Sequence, residues 1–335
     1  MKHIIFGFIA LFLAQVLWAQ QTFEFNETDR TNRIKEDITV LAHDSLRGRE
    51  GGSEWEFRAG NYIIKEYEEI GLTPLPDLEY FRQPFTIEKS VHTKDSMITI
   101  EVESNNILGY LDNGMPYTIV IGAHYDHLGY KYNSDSALII YNGADDNASG
   151  SAAVMEMARY IKNNEAFHKY NYIFACWGSE EKGLLGSNYF CSSEIYPFNK
   201  MAFYVNFDMI GRLGWKRNQI DIFGMGSSTV WEGFVPEDKY EDYKLKKMAA
   251  AFDASDHACF YKNQTPFIYF TSGLPPQYHQ PTDESDIINF QGVTDIIEYC
   301  ESIILKFDGE KPDFREFTDK EISKVSIYFI GQFFN

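Results

Sequence analysis

Two adjacent carboxylates, Glu180 and Glu181, stand in Trp177-Gly178-Ser179-Glu180-Glu181-Lys182-Gly183, directly behind the apolar run Tyr172-Ile173-Phe174-Ala175-Cys176. The run reads as a buried strand, and ligands of open α/β sheets collect outside the carboxyl ends of strands. Neighbouring glutamates there can divide two tasks, one binding a metal and the other moving a proton. Further donors close the other apolar runs. His124 and Asp126 follow the first in Gly122-Ala123-His124-Tyr125-Asp126-His127, and Asp145-Asp146-Asn147-Ala148-Ser149-Gly150 opens the helical pattern beyond it. Asp208 ends another run in Asn206-Phe207-Asp208-Met209-Ile210-Gly211, and His279 lies in Tyr278-His279-Gln280-Pro281-Thr282-Asp283 after the last. Imidazole nitrogen and carboxylate oxygen without thiolate suit zinc and related divalent ions. Two histidines with three or more carboxylates exceed what one tetrahedral zinc needs, so the count points to two ions sharing a bridging carboxylate.

The elements that must position these residues follow from periodicity. Short apolar runs over 118–123, 172–177, 202–207 and 266–271 predict buried strands. Helical spacing predicts helices over 29–41, 54–70, 151–162, 241–252 and 293–307, the first two forming a packed pair joined by the glycine-rich Arg47-Gly48-Arg49-Glu50-Gly51-Gly52-Ser53. Residues 81–108 are polar and β-prone, and 325–334 are apolar enough to dock on the body. Strands alternating with helices give an α/β fold with a mixed, mostly parallel central sheet and helices on both faces.

Composition narrows the function classes. At 335 residues and 44% hydrophobic content, the chain can bury a large core. A net charge of -19 with no basic cluster argues against nucleic acid as a partner. Residues 1–19 read as a secretory signal: Lys2 precedes an apolar stretch over 4–18, with Ala19 before the expected cut at Gln20. That stretch is shorter than the ~20 residues of a membrane-spanning helix, and no cysteine follows the cut to carry lipid. The expectation is an exported protein, periplasmic or extracellular, without a membrane anchor after processing, in which 20–335 form one domain. Four cysteines, Cys176, Cys191, Cys259 and Cys300, allow up to two disulfides in three pairings. Cys176 and Cys300 also fit the alternative of small buried hydrophobes.

In chain order, His124-Tyr125-Asp126, the run from Asn142 to Gly150, Trp177-Gly178-Ser179-Glu180-Glu181, the run from Asn206 to Gly211, and Tyr278-His279 together resemble the two-zinc metallopeptidases of family M28. The resemblance covers residues 118–286, and Leu46-Arg47-Gly48-Arg49 with 62–72 is similar to the lead-in of exported members. It implies a three-layer zinc-aminopeptidase-like sandwich without a protease-associated insert, acting on peptide or protein substrates. It also implies that Asp146 bridges two Zn2+ ions, that Glu181 and His279 complete one site, and that His124 and Asp208 complete the other. Glu180 would be the general base, Tyr278 a hydrogen-bond donor to the oxyanion, and Asp126 the partner of the far ring nitrogen of His124. His127 stays outside the metal shell. Asp145 is expected to serve the helix N-terminus, Asp283 and Asp286 to support or cap, and Asp256-His257 to pack near the site. Rival readings are a glutaminyl cyclase-like enzyme, a carboxypeptidase or other amide hydrolase, and a catalytically silent binding protein.

Overall fold

The structure, a computed structural model, describes residues 27–92 and 96–333. The chain runs through helices α1 (Glu27–Leu41) and α2 (Glu54–Ile70), strands β1 (Arg82–His92), β2 (Met97–Leu111) and β3 (Thr118–His124), and a small hairpin, β4 (Gly129–Tyr132) with β5 (Leu138–Tyr141). It continues through α3 (Gly150–Lys162), β6 (Asn171–Trp177), α4 (Leu185–Ser192), β7 (Met201–Phe207), β8 (Gln219–Phe223), β9 (Lys239–Tyr240) and β10 (Tyr243–Lys247). Last come α5 (His257–Lys262), β11 (Phe267–Thr271), α6 (Phe290–Ile304) and α7 (Asp319–Phe333).

Among the described residues, nine strands form one mixed sheet in the order β1-β2-β6-β3-β7-β11-β8-β10-β9. The four central neighbours β6, β3, β7 and β11 are parallel, and the flanks add antiparallel pairs. Every residue of β3, β6 and β7 is buried, which is why their sequences are continuous apolar runs rather than alternating ones. Alternation survives as a division between faces. Ile119, Ile121 and Ala123 join one apolar cluster with α1, α2, α3 and α6, while Val120 joins a second with Phe190 of α4 and Phe260 of α5. Helices therefore cover both faces, giving the three layers that were expected.

The helix α2 matches its expected span because both ends are specified locally. Ser53 accepts hydrogen bonds from the backbone N–H groups of Trp55 and Glu56, and Gly71 closes the helix at φ 79°. It meets α1 through Tyr62, whose hydroxyl donates to Asp37 at 2.6 Å, and Arg159 of α3 grips Asp37 and Glu66.

One element departs from expectation. The helix anticipated over 241–252 is absent, and Tyr243–Lys247 instead forms β10, parallel to β8 and antiparallel to β9. In Tyr-Lys-Leu-Lys-Lys only Leu245 is buried, so the segment works as a half-exposed strand whose pairing overrides local helical spacing. The C-terminal helix α7 does dock: Val325 is fully buried against Phe223, Met248 and Ala250.

A disulfide joins Cys191 of α4 to Cys259 of α5, while Cys176 and Cys300 are free and buried. Among the described residues no helix is long and apolar enough to cross a membrane. The expected signal segment over 1–19 lies outside the described residues.

Candidate metal centre

The donors gather where the central parallel strands end. His124 is the last residue of β3, Glu180 and Glu181 follow β6, and Asp208 follows β7. Sharp backbone turns aim them. Ser179 (φ 54°), Met209 (φ 57°) and His279 (φ 56°) all adopt the left-handed conformation, which costs of order 1–3 kcal/mol per non-glycine residue and persists where surrounding structure enforces it. Gly143, at φ 60°, begins the turn bearing Asp146, and a Cβ there would lie 2.2 Å from the Asp146 carbonyl oxygen and 2.6 Å from the His127 ring. Only glycine fits that position.

Two donor sets meet at Asp146. Its Oδ1 lies 3.4 Å from His124 Nε2, which is 3.5 Å from Asp208 Oδ1. Its Oδ2 lies 3.2 Å from His279 Nε2, which is also 3.2 Å from Glu181 Oε2. Zinc bonds of about 2.0–2.1 Å place tetrahedral ligand atoms about 3.3 Å apart, so all four separations match edges of a coordination tetrahedron. Asp146 Oδ2 is also buried without a hydrogen-bond partner, a costly state that a cation would relieve. The donor chemistry and this orphaned oxygen fit zinc.

The sequence-expected residues are thus brought together, with differences in how two of them act. Asp126 does accompany His124, but through its main chain: His124 Nδ1 lies 3.2 Å from the Asp126 carbonyl oxygen and 3.7 Å from its carboxylate. The Asp126 carboxylate instead accepts the backbone N–H groups of Glu180 at 2.9 Å and Glu181 at 3.3 Å, fixing the turn that presents both glutamates. Asp145 accepts the Gly211 N–H at 2.7 Å, tying its loop to the end of β7 rather than serving only a helix terminus. Asp283 behaves as a support and accepts the N–H groups of Asp145 and Asp146. His257 packs between Phe267 and Tyr269, as expected of a residue near the site, and Asp256 is buried beside it.

Two buried ionisable residues were missed. Arg49 is completely buried and donates to the carbonyl oxygens of Tyr125 at 2.7 Å, Asn142 at 2.6 Å and Gly143 at 3.1 Å, and also to that of Leu41. It welds the His124 and Asp146 loops together and places a cation behind the acidic cluster. Glu56 of α2 accepts the Ser104 hydroxyl at 2.6 Å and the Gly52 N–H at 2.7 Å behind the Ser179 turn. An arginine in a glycine-rich connection and a glutamate in a first helical turn both read as surface. The only local signal was the Arg47-Gly48-Arg49 spacing.

Electrostatics separates the glutamate pair. Burial raises the Glu180 carboxyl well above the ordinary range; His124 opposes this, and Asp256, Asp208 and Glu181 add to it. Burial and Asp146 also disfavour charge on Glu181, yet hydrogen bonds from His127 and His279 hold it below that range. Asp146 is likewise held low against burial by His124 and His279. Burial opposes the charge on His279, but Asp146 and Glu181 outweigh it and raise the imidazole to about 10. Cations and protons therefore compete for these donors.

A cavity of about 570 Å³ opens on this centre. His124, Asp146, Glu180, Glu181 and Asp208 line its polar side. Met209, Phe252, Ala254, Tyr269, Leu274 and Tyr278 form an apolar wall, and Ser326 of α7 joins the lining. The Tyr278 ring stacks on His279 with centroids 3.8 Å apart.

Comparison with known proteins agrees with this geometry. A protein similar to the chain is the probable leucine aminopeptidase 2 of Trichophyton verrucosum, 29% identical over 176 residues; the match covers 48% of this chain and 34% of that one, so the chain spans about a third of that relative's length. A zinc aminopeptidase from Bacillus subtilis has a similar structure, with TM-score 0.66 and 16% identity over 86% of this chain and 98% of that one. The fold is also that of a glutaminyl cyclase from Bacteroides thetaiotaomicron, with TM-score 0.59, 16% identity and coverage of 86% and 100%. The sequence model of peptidase family M28 matches residues 106–304, more than half of the chain and the span that carries both donor sets, and the chain belongs to that family.

Proposed function

We propose that this chain is an exported zinc aminopeptidase that binds two zinc ions and hydrolyses N-terminal peptide bonds. The observation carrying the reading is the division of Asp146, which turns one carboxylate oxygen toward His124 and Asp208 and the other toward Glu181 and His279. Zinc held there supplies Lewis acidity and makes a coordinated water acidic near neutral pH. Glu180 reaches into the cavity from a turn locked by Asp126, where it is placed to take a proton from the attacking water and return it to the leaving amine. The Tyr278 hydroxyl, beside the same cavity, is suited to donate to the carbonyl oxygen as it gains charge. The acidic side attracts a free ammonium terminus, and the wall of Met209, Phe252, Tyr269 and Leu274 receives an apolar side chain.

Support for export comes from the disulfide, a bond that persists in oxidising compartments, together with the leader-like first residues. A second donor set at His124, Asp146 and Asp208 supports two ions rather than one, and on that ground favours the peptidase reading over a cyclase. Release of leucine from a leucyl chromogenic amide, stopped by a chelator and restored by zinc, is the expected behaviour of the mature chain. Release indifferent to chelator, or none at all, overturns the aminopeptidase reading; cyclisation of N-terminal glutamine in its place would favour the cyclase.

A further inference from the structure

His127 lies three residues beyond His124, outside both donor sets, and yet it is completely buried at the centre. Its ring packs over Gly143, its backbone N–H donates to the Arg49 carbonyl at 3.2 Å, and its edge meets the His279 ring at a centroid distance of 5.8 Å. It has no room to turn away. Nδ1 lies 2.8 Å from Glu181 Oε1 and 3.9 Å from Asp146 Oδ2.

His127, Asp146 and Glu181 lie close enough together to hold an ion, but the shortest of these distances favours another role for the imidazole. Two atoms bound to one zinc at about 2.0–2.1 Å and only 2.8 Å apart would subtend roughly 86°, far from a tetrahedral angle. A separation of 2.8 Å is instead that of a charge-assisted N–H···O bond. The two oxygens of Glu181 are therefore divided: Oε1 faces His127, and Oε2 faces His279 across the 3.2 Å of a ligand edge.

We propose that His127 is a positioning residue that donates from Nδ1–H to Glu181 Oε1, leaving Oε2 alone to bind metal. The proton then resides on Nδ1, and the buried Nε2, which has no hydrogen-bond partner, keeps a bare lone pair. With Oε1 held by His127, the carboxylate of Glu181 is restrained from turning toward the cavity, and binding through both oxygens would strain that hydrogen bond. His127 thereby sorts the glutamate pair: Glu181 is fixed as ligand, and Glu180, which has no such donor, remains the group free to exchange a proton. This inference rests on the two-zinc reading.

The test compares His127→Asn, whose side-chain amide can donate from near the Nδ1 position, with His127→Leu, which fills the space without a donor. Zinc retained per full-length chain is titrated against a competing chelator, and the visible spectrum is recorded after cobalt(II) loading. Outer hydrogen bonds to metal ligands typically contribute 10- to 100-fold to affinity. His127→Leu is expected to surrender one equivalent at roughly 10- to 100-fold lower chelator concentration than wild type. His127→Asn is expected to stay within about threefold of wild type, with an unchanged cobalt spectrum, since no imidazole ligand has been removed. A His127→Leu variant that holds both equivalents as tightly as wild type overturns the proposal. So does a His127→Asn variant with an altered cobalt spectrum, and that readout remains decisive if the leucine variant does not fold. A wild-type chain that takes up no second equivalent removes the two-zinc reading itself, and this inference falls with it.

Discussion

The Cys191–Cys259 bridge offers a sharp quantitative prediction. It ties α4, which follows the Glu180–Glu181 turn, to α5, which follows Ser255, and the Ser255 hydroxyl donates to Asp208 Oδ2 at 2.7 Å. The base side of the cavity is thus fastened to the Asp208 side. The bridge spans 68 residues of sequence. In the chain-entropy account, closing a loop of that length removes about 15 cal/mol/K from the unfolded ensemble, or about 4.4 kcal/mol near room temperature. The perturbation is the double variant Cys191→Ala/Cys259→Ala, because a single replacement would leave a reactive thiol. With a urea slope of roughly 3 kcal/mol/M, the unfolding midpoint should fall by about 1.5 M. Wild type in reductant should approach the double variant, whereas Cys176→Ala/Cys300→Ala should respond to reductant as wild type does, since both of those thiols are free and buried. A midpoint shift below about 0.3 M, or reductant sensitivity lost with Cys176 and Cys300 instead, would refute the reasoning.

Two further outcomes follow from single side chains. Burial, reinforced by the charge of Asp126, raises the Glu56 carboxyl from 4.5 to about 8, against hydrogen bonds from Ser104, Gly52 and Ser179. Between those values the unfolded chain releases a proton that the folded chain keeps, so folding loses stability as pH rises through the window, by up to about 5 kcal/mol at 1.36 kcal/mol per unit. Glu56→Gln mimics the neutral acid and should gain stability over wild type between about pH 5 and pH 8 in urea titrations; parallel profiles would contradict the assignment. Ser326→Trp should fill the apolar side of the cavity and lower kcat/KM for a leucyl amide about tenfold more than for an alanyl amide, and equal losses would place Ser326 outside the substrate's reach.

What could be read in advance was local. The apolar runs of β3, β6 and β7 announced buried parallel strands, and the donors followed each run directly. The ends of α2 were spelled by Ser53 and Gly71. What escaped was tertiary. Leu245 becomes a strand residue because β8 offers it a partner, and Asp126 holds the glutamate turn because the end of β3 lies beside the end of β6. Arg49 and Glu56 are buried ionisable groups whose partners are backbone groups and a serine from other segments, so no run of sequence records them. Cysteine spacing could not choose a pairing, since the choice depends on α4 meeting α5. His127 was set aside as a ligand, and the 2.8 Å contact to Glu181 gives it a different place in the site.

The most direct test of the central claim is Glu180→Gln, assayed for bound zinc and for leucine release from a leucyl chromogenic amide. The Glu180 carboxylate lies 3.9 Å from His124 Nε2, beyond the 3.2–3.5 Å separations of the two donor sets. The account therefore predicts two zinc equivalents in both wild type and variant, with turnover in the variant lower by about 10²- to 10⁴-fold. A variant that releases leucine at nearly the wild-type rate, or one that loses zinc in step with activity, would contradict the assignment of Glu180 as the proton-transfer group beside a two-metal site.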